Sequence, residues 1–317
     1  WALNLVAGLY GLINYGLVGQ IVAELPSAIL VGIISVYLML KMLGTWDLKI
    51  QHLKKALAFG LPLVPHMLAL WVMNLSDRIL LASMVPMADV GLYNLAMSLA
   101  IVMVFVISSL NEAWVPRFYQ IMTEHRRATA EVRTYSSWWF IGVGVCCLGM
   151  MLFATDVIAL LATKDYLSSG RFVPIMAYSF LVMGIYQFGV NPLFYHKKTK
   201  WIPWVSGGAA ILNIVLNLIL IPYLGVVGAA VSTLLAQASM AIIFHVVSRK
   251  LDPMPYPYLA GILPMVALGA LAFWLSFYSA PSSLSLTFRF VLGCAMLLVF
   301  TPMLRTEIWN QRENRIA

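Results

Sequence analysis

Residues 213–234 read NIVLNLILIPYLGVVGAAVSTL, and residues 4–25 read NLVAGLYGLINYGLVGQIVAEL. At a constant offset of 209 residues, without a gap, Asn4 meets Asn213, Gly16 meets Gly225 and Gly19 meets Gly228. Val6, Val18, Val22 and Leu25 likewise meet Val215, Val227, Val231 and Leu234. The paired Asn and Gly positions argue against chance similarity between two apolar segments, and self-similarity at a fixed offset marks a duplicated architecture. The spans holding the two copies lie six helices apart. An even number of crossings gives both copies the same orientation, as in parallel-repeat transporters.

Composition places that repeat in a membrane. Of 317 residues, 62% are hydrophobic and only 10% charged, whereas soluble domains carry roughly 45–50% and about 25%. A mean hydropathy of +0.89 leaves too little polar surface to cover a water-facing globule. Fourteen Tyr and ten Trp suit a chain with many water–lipid boundaries. Cys146, Cys147 and Cys294 all sit in apolar stretches, which excludes a disulfide framework and a cysteine metal site.

Apolar stretches of about 20 residues, the length that crosses a bilayer, fall near 17–41, 57–83, 88–112, 137–162, 171–194, 202–222, 225–247, 257–279 and 285–304. Residues 1–14 read as the end of a further helix. The fold class expected is therefore all-α integral membrane, with nine full transmembrane helices and one partial. Alternate loops and the C-terminal tail together hold sixteen of the twenty Lys and Arg residues, so those loops and the C-terminus are expected to be cytoplasmic. The net charge of +8 then faces anionic lipid, and nucleic acid is not needed as a partner.

The repeat also divides the chain. Residues 1–41 are expected to be the last helices of an N-terminal lobe, 42–56 a cytoplasmic linker, and 57–247 a six-helix C-terminal lobe. Two extra helices at 257–304 and a cytoplasmic tail at 305–317 follow. The sequence opens on Trp1 inside an apolar run, and the repeat offset places roughly 150 residues of the first lobe ahead of it. The chain is accordingly read as the C-terminal part of a longer, fourteen-helix, two-lobe transporter.

Three pieces between Phe59 and Tyr119 carry a family resemblance: the FGLP opening at 59–62 after a basic lead, SDR at 76–78 followed by DVGLYNLA, and AWVPRFY at 113–119. In this order they resemble the seventh and eighth helices of polysaccharide-export (O-antigen, lipid-linked oligosaccharide) flippases of the MOP superfamily. The resemblance implies a MATE-like fold with two lobes alternating around a central cavity. It also implies movement of an undecaprenyl-pyrophosphate-linked oligosaccharide from the cytoplasmic to the periplasmic leaflet of a bacterial inner membrane. The lipid-linked oligosaccharide and membrane lipids are the implied partners, together with the polysaccharide polymerase and chain-length machinery.

Ionisable groups inside a span are costly and tend to face a bundle interior or a wet cavity. Asn74, Asp77 and Arg78 lie three and four residues apart, so a shared helical face is expected. Arg78 should lie roughly 8 Å inside the outer end of its span, where its guanidinium suits a phosphate; a structural carboxylate pair or snorkelling fits as well. Glu24 and Asp156 are candidate partners of Arg78 or proton carriers, and local pairing explains them equally. Asn191, Asn213 and Asn217 suit sugar hydroxyls or inter-helix hydrogen bonds. Lys197, Lys198 and Lys200 are candidates for a cytoplasmic entrance that attracts a pyrophosphate. Glu112 reads as interfacial and His66 as packing. Pro62 and Pro65 are expected to kink their span.

No phosphate-cradling glycine loop, metal cluster or catalytic triad is present. Transport driven by a proton or sodium gradient, without a bound cofactor, is the expectation. A cation-coupled multidrug exporter of the same superfamily is the nearest alternative. A membrane-embedded polysaccharide polymerase or glycosyltransferase would need an active-site domain outside the hydrocarbon, and the longest break, about 113–136, is basic and lacks clustered carboxylates.

Overall fold

A computed structural model describes residues 2–43, 50–124, 128–254, 256, 258–277 and 284–301. The chain divides into two units, residues 1–57 and 58–317. Among the described residues every long element is a helix. Among these residues seven segments are long and apolar enough to cross a membrane, and Leu263–Phe277 and Leu286–Leu298 are shorter apolar helices.

The first unit is dominated by α1 (Ala2–Leu43), whose helical geometry breaks at Gly16 with φ 68° and ψ −158°. Only glycine visits that region at little cost. Beyond the break the chain doubles back. Gly11 and Gly19 would stand about 12 Å apart along one straight helix, yet a Cβ on Gly19 would collide with the Gly11 carbonyl. The unit is thus a helical hairpin closed by glycine against backbone.

The second unit repeats the device. Helix α8 (Ile202–Leu224) ends at Gly225, with φ 56° and ψ −133°, and α9 (Val226–Leu251) follows at once. A Cβ on Gly228 would collide with the Leu220 carbonyl. These positions are those of Gly16, Gly19 and Gly11 shifted by 209 residues. Gly16 and Gly225 are also the two positive-φ glycines among the described residues. The sequence repeat is therefore a repeat of backbone conformation.

A short helix, α2 (Ile50–Gly60), runs across the division between the units, and the second unit's remaining helices begin with α3 (Leu63–Met84), α4 (Met87–Ala100), α5 (Val102–Glu124), α6 (Ala128–Leu161) and α7 (Val173–Tyr195). Helix α7 is the axis of the unit and packs against α4, α5, α6, α9 and α10 (Tyr258–Phe277). Its closest approach is at Gly189, where a Cβ would touch the Phe244 and His245 backbone of α9. Helix α3 packs chiefly on α8, and α11 (Leu286–Leu298) on α6. The lone cation of α11, Arg289, is 7% exposed. It donates to the Asp156 carboxylate and the Leu152 carbonyl of α6, which offsets the cost of burying the charge.

Helices extend into two of the stretches between apolar spans, and one expected kink falls between two helices. The break at 113–136 is largely helix, because α5 runs to Glu124 and α6 begins at Ala128; residues 125–127 lie outside the described set. Charge along 112–133 marked the end of the hydrocarbon, and an amphipathic helix continues past that boundary. Half of the 42–56 linker is likewise helical, since α2 starts at Ile50. Pro62 stands just before α3 as its N-cap residue, so it separates α2 from α3 where a kink within one helix was expected. The tail at 305–317 lies outside the described residues.

Candidate functional site

Helix α3 presents polar groups on two faces. Successive residues of an α-helix turn by about 100° and residues four apart return to within about 40°. Asn74 and Arg78 therefore stand together, and both are exposed. Asp77 points elsewhere and is 1% exposed. The expected single face carrying all three residues is split in two.

On the inner face Asp77 is the centre of a buried network. One carboxylate oxygen, Oδ1, accepts from Asn217 Nδ2 at 2.6 Å. The other, Oδ2, accepts from Thr233 Oγ1 at 2.6 Å and from the Tyr93 hydroxyl at 3.1 Å. Behind them Asn213 donates to Thr233 Oγ1 at 3.3 Å. Its own carbonyl accepts from Asn217 at 3.2 Å and from Ser76 at 2.9 Å. Helices α3, α4, α8 and α9 each supply a member.

Burying a carboxylate without partners is prohibitive, and hydrogen bonds to a charged group stabilise by about 1.5–3 kcal/mol each. These donors make the position tolerable. The Asn217 carbonyl is buried with no partner among the described residues. The cluster is thus rich in oxygen: a carboxylate, two amide carbonyls and three hydroxyls. Such a set can take up a proton or hold a small hard cation. No group of three or more His, Cys, Asp or Glu that could hold a metal ion occurs among the described residues.

On the outer face Asn74 and Arg78 line a cavity of about 390 Å³, within the size range of ligand sites. Thr233 and Gln237 of α9 form its polar remainder, and Met73, Met97, Met183 and Met240 much of its apolar wall. Methionine is unbranched and polarisable, so this wall can adapt to a ligand's shape. Thr233 belongs to both places, lining the cavity while donating to Asp77.

The remaining candidates lie apart from this pair of sites. Asp156 pairs with Arg289 at the junction of α6 and α11. Asn191 donates to Asn111 of α5 at 2.9 Å, an inter-helix tie. Glu112 is exposed and His66 is buried in α3. Lys197, Lys198 and Lys200 are exposed just beyond α7. Lys197 has φ 56°, where a helix end usually places glycine. The side chain of Glu24 lies outside the described residues. Reading the sequence alone missed Tyr93, Ser76, Thr233 and Gln237. A signal existed for one of them: Thr233 stands at the repeat position of Glu24.

Residues 2–122 match the family described as polysaccharide biosynthesis protein, a stretch that includes Asp77 and Arg78. A Haemophilus influenzae protein described as Lsg locus putative protein 1 is 26% identical over 220 residues, covering 66% of this chain and 55% of that protein. A second from the same organism, described as an uncharacterized membrane protein, is 23% identical over 221 residues, covering 66% and 54%. The chain spans about half the length of the curated relatives it matches. No solved structure matches it.

Proposed function

From the match of residues 2–122 to the polysaccharide biosynthesis protein family, we propose that the chain is the C-terminal part of a lipid-linked oligosaccharide flippase. The substrate is an undecaprenyl-pyrophosphate-linked repeat unit of O-antigen or another surface polysaccharide. It moves from the cytoplasmic to the periplasmic leaflet of a bacterial inner membrane, by alternating access of two lobes in a fourteen-helix protein.

One observation carries this reading. Arg78 presents a permanent cation to a cavity within a membrane-spanning segment, where an anionic group gains most from it. In this scheme Arg78 holds a phosphate, Asn74 beside it binds a neighbouring polar group, and Lys197, Lys198 and Lys200 gather the headgroup on the cytoplasmic side. The Asp77 network directly behind the cavity is where a coupling proton or sodium ion acts. Thr233, shared by network and cavity, links occupancy of one to the other. The methionine wall favours the second reading, a multidrug exporter. A fixed cation repels the amphipathic cations such exporters carry, so the anionic substrate is preferred.

The test is Arg78→Ala in the intact protein, with glycan at the cell surface and protein in the membrane both quantified. Export is expected to fall by at least ten-fold with expression unchanged, and Arg78→Lys to restore part of it, because lysine lacks the planar fork. Normal export by Arg78→Ala sinks the proposal. So does unchanged glycan export accompanied by lost drug resistance.

A further inference from the structure

Gln237 lies one helical turn beyond Thr233 on α9, on the wall of the cavity that holds Arg78 and Asn74. The residue is 4% exposed, and its side-chain carbonyl is buried with no hydrogen-bond partner among the described residues. A buried acceptor left unsatisfied costs stability, and folded proteins rarely keep one without a reason. Packing supplies none here. The adjoining wall is built of Met73, Met97 and Met240, and a methionine at 237 would fill a similar volume without the cost.

The neighbouring polar groups are already engaged in ways that leave Gln237 open to a ligand. Thr233 gives its hydroxyl proton to Asp77 at 2.6 Å. Asn74 gives an amide proton to the Leu70 carbonyl at 3.0 Å. The cavity therefore offers a cation at Arg78 and, on the facing helix, a carboxamide whose carbonyl has no partner among the described residues.

We propose that Gln237 is a specificity-determining residue: its carboxamide hydrogen-bonds a hydroxyl or amide N–H of the group carried on the phosphate that Arg78 holds. The ligand class is a glycosyl phosphate. Sugar hydroxyls both donate and accept, so they satisfy either orientation of the amide. The proposal rests on the phosphate reading of Arg78.

The experiment uses the intact protein, purified in detergent, and two probes: undecaprenyl pyrophosphate, and undecaprenyl pyrophosphate bearing a single N-acetylhexosamine. Wild type is expected to bind the sugar-bearing probe about five-fold more tightly, the worth of one hydrogen bond. Gln237→Met is expected to bind both probes alike while melting at the wild-type temperature or higher. Arg78→Ala is expected to lose affinity for both.

Three outcomes overturn the role of Gln237: equal binding of the probes by wild type, a preference retained by Gln237→Met, or a melting temperature several degrees lower for that variant. The second is the result expected if Gln237 holds only a structural water. Full binding of both probes by Arg78→Ala instead removes the phosphate reading, so the two failures are read on different variants.

Discussion

Gly16 and Gly225 break their helices at the same repeat position and with the same sign of φ. Their surroundings differ. The apolar window of Val18–Met42 buries 0% of its residues, whereas that of Val226–Leu251 buries 61%. Ile21, Ile29 and Ile33 stand 65%, 59% and 64% exposed, while Ala236, Met240 and Phe244 of α9 are 0% exposed. Hairpin closure is thus a local property, written in a glycine that accepts positive φ and a second that lets a carbonyl approach. Burial comes from neighbours, which for α9 are chiefly α7 and α8.

The sharpest way to break that comparison is to fill the close approach. Gly228→Leu should destabilise the intact protein by about 3 kcal/mol, read as a large drop in melting temperature. Gly208→Leu, where a side chain enters open space, should change it little. Gly19→Leu should repeat the effect of Gly228→Leu; a harmless Gly19→Leu would show that the first hairpin closes by other means.

Next in size is the network that the second hairpin completes. Asp77→Ala strands donors from Tyr93, Asn217 and Thr233 and should cost about 2 kcal/mol. Asp77→Asn should cost less and should impair glycan export less than Arg78→Ala does. Equal stability of Asp77→Ala and wild type would remove the network as a determinant of the fold.

Smaller again is the break itself. Gly225→Ala and Gly16→Ala should each cost about 1 kcal/mol, the strain of a Cβ at positive φ. Their two melting shifts should agree if the hairpins are equivalent. The smallest effect belongs to Lys197, the non-glycine residue with positive φ among the described residues. Lys197→Gly should stabilise by roughly 0.5 kcal/mol, and a destabilised variant would mean that the lysine side chain contributes to packing.

How far these features could be read in advance depended on their range. Spans followed from continuous apolar runs, and the recurrence of Gly16 and Gly19 at Gly225 and Gly228 marked the duplication, but that each pair closes a hairpin emerged only from the backbone angles and the close approach of Gly19 and Gly228 to a carbonyl. Helix ends past the bilayer did not follow, since the Arg and Glu residues that end a hydrocarbon run also suit an amphipathic helix such as the end of α5. The site was half legible. Asp77 and Arg78 stood out as charges in an apolar run, but which faced the cavity depended on where α8 and α9 pack. Asp156 announced itself in the same way, and its partner Arg289 lies 133 residues further on. Tyr93 and Thr233 carry no comparable signal, because single hydroxyls in apolar helices are common.

Thr233 has one hydroxyl proton to give. In the network that proton goes to Asp77, and the oxygen in turn receives one from Asn213, so the cavity meets a threonine with nothing left to donate. Were Asp77 to gain a proton of its own, its Oδ2 would no longer require the threonine's, and the hydroxyl could turn toward a ligand. The difference between a closed and an available donor in the cavity wall would then be a single hydrogen atom held one helix away, with no movement of the backbone required.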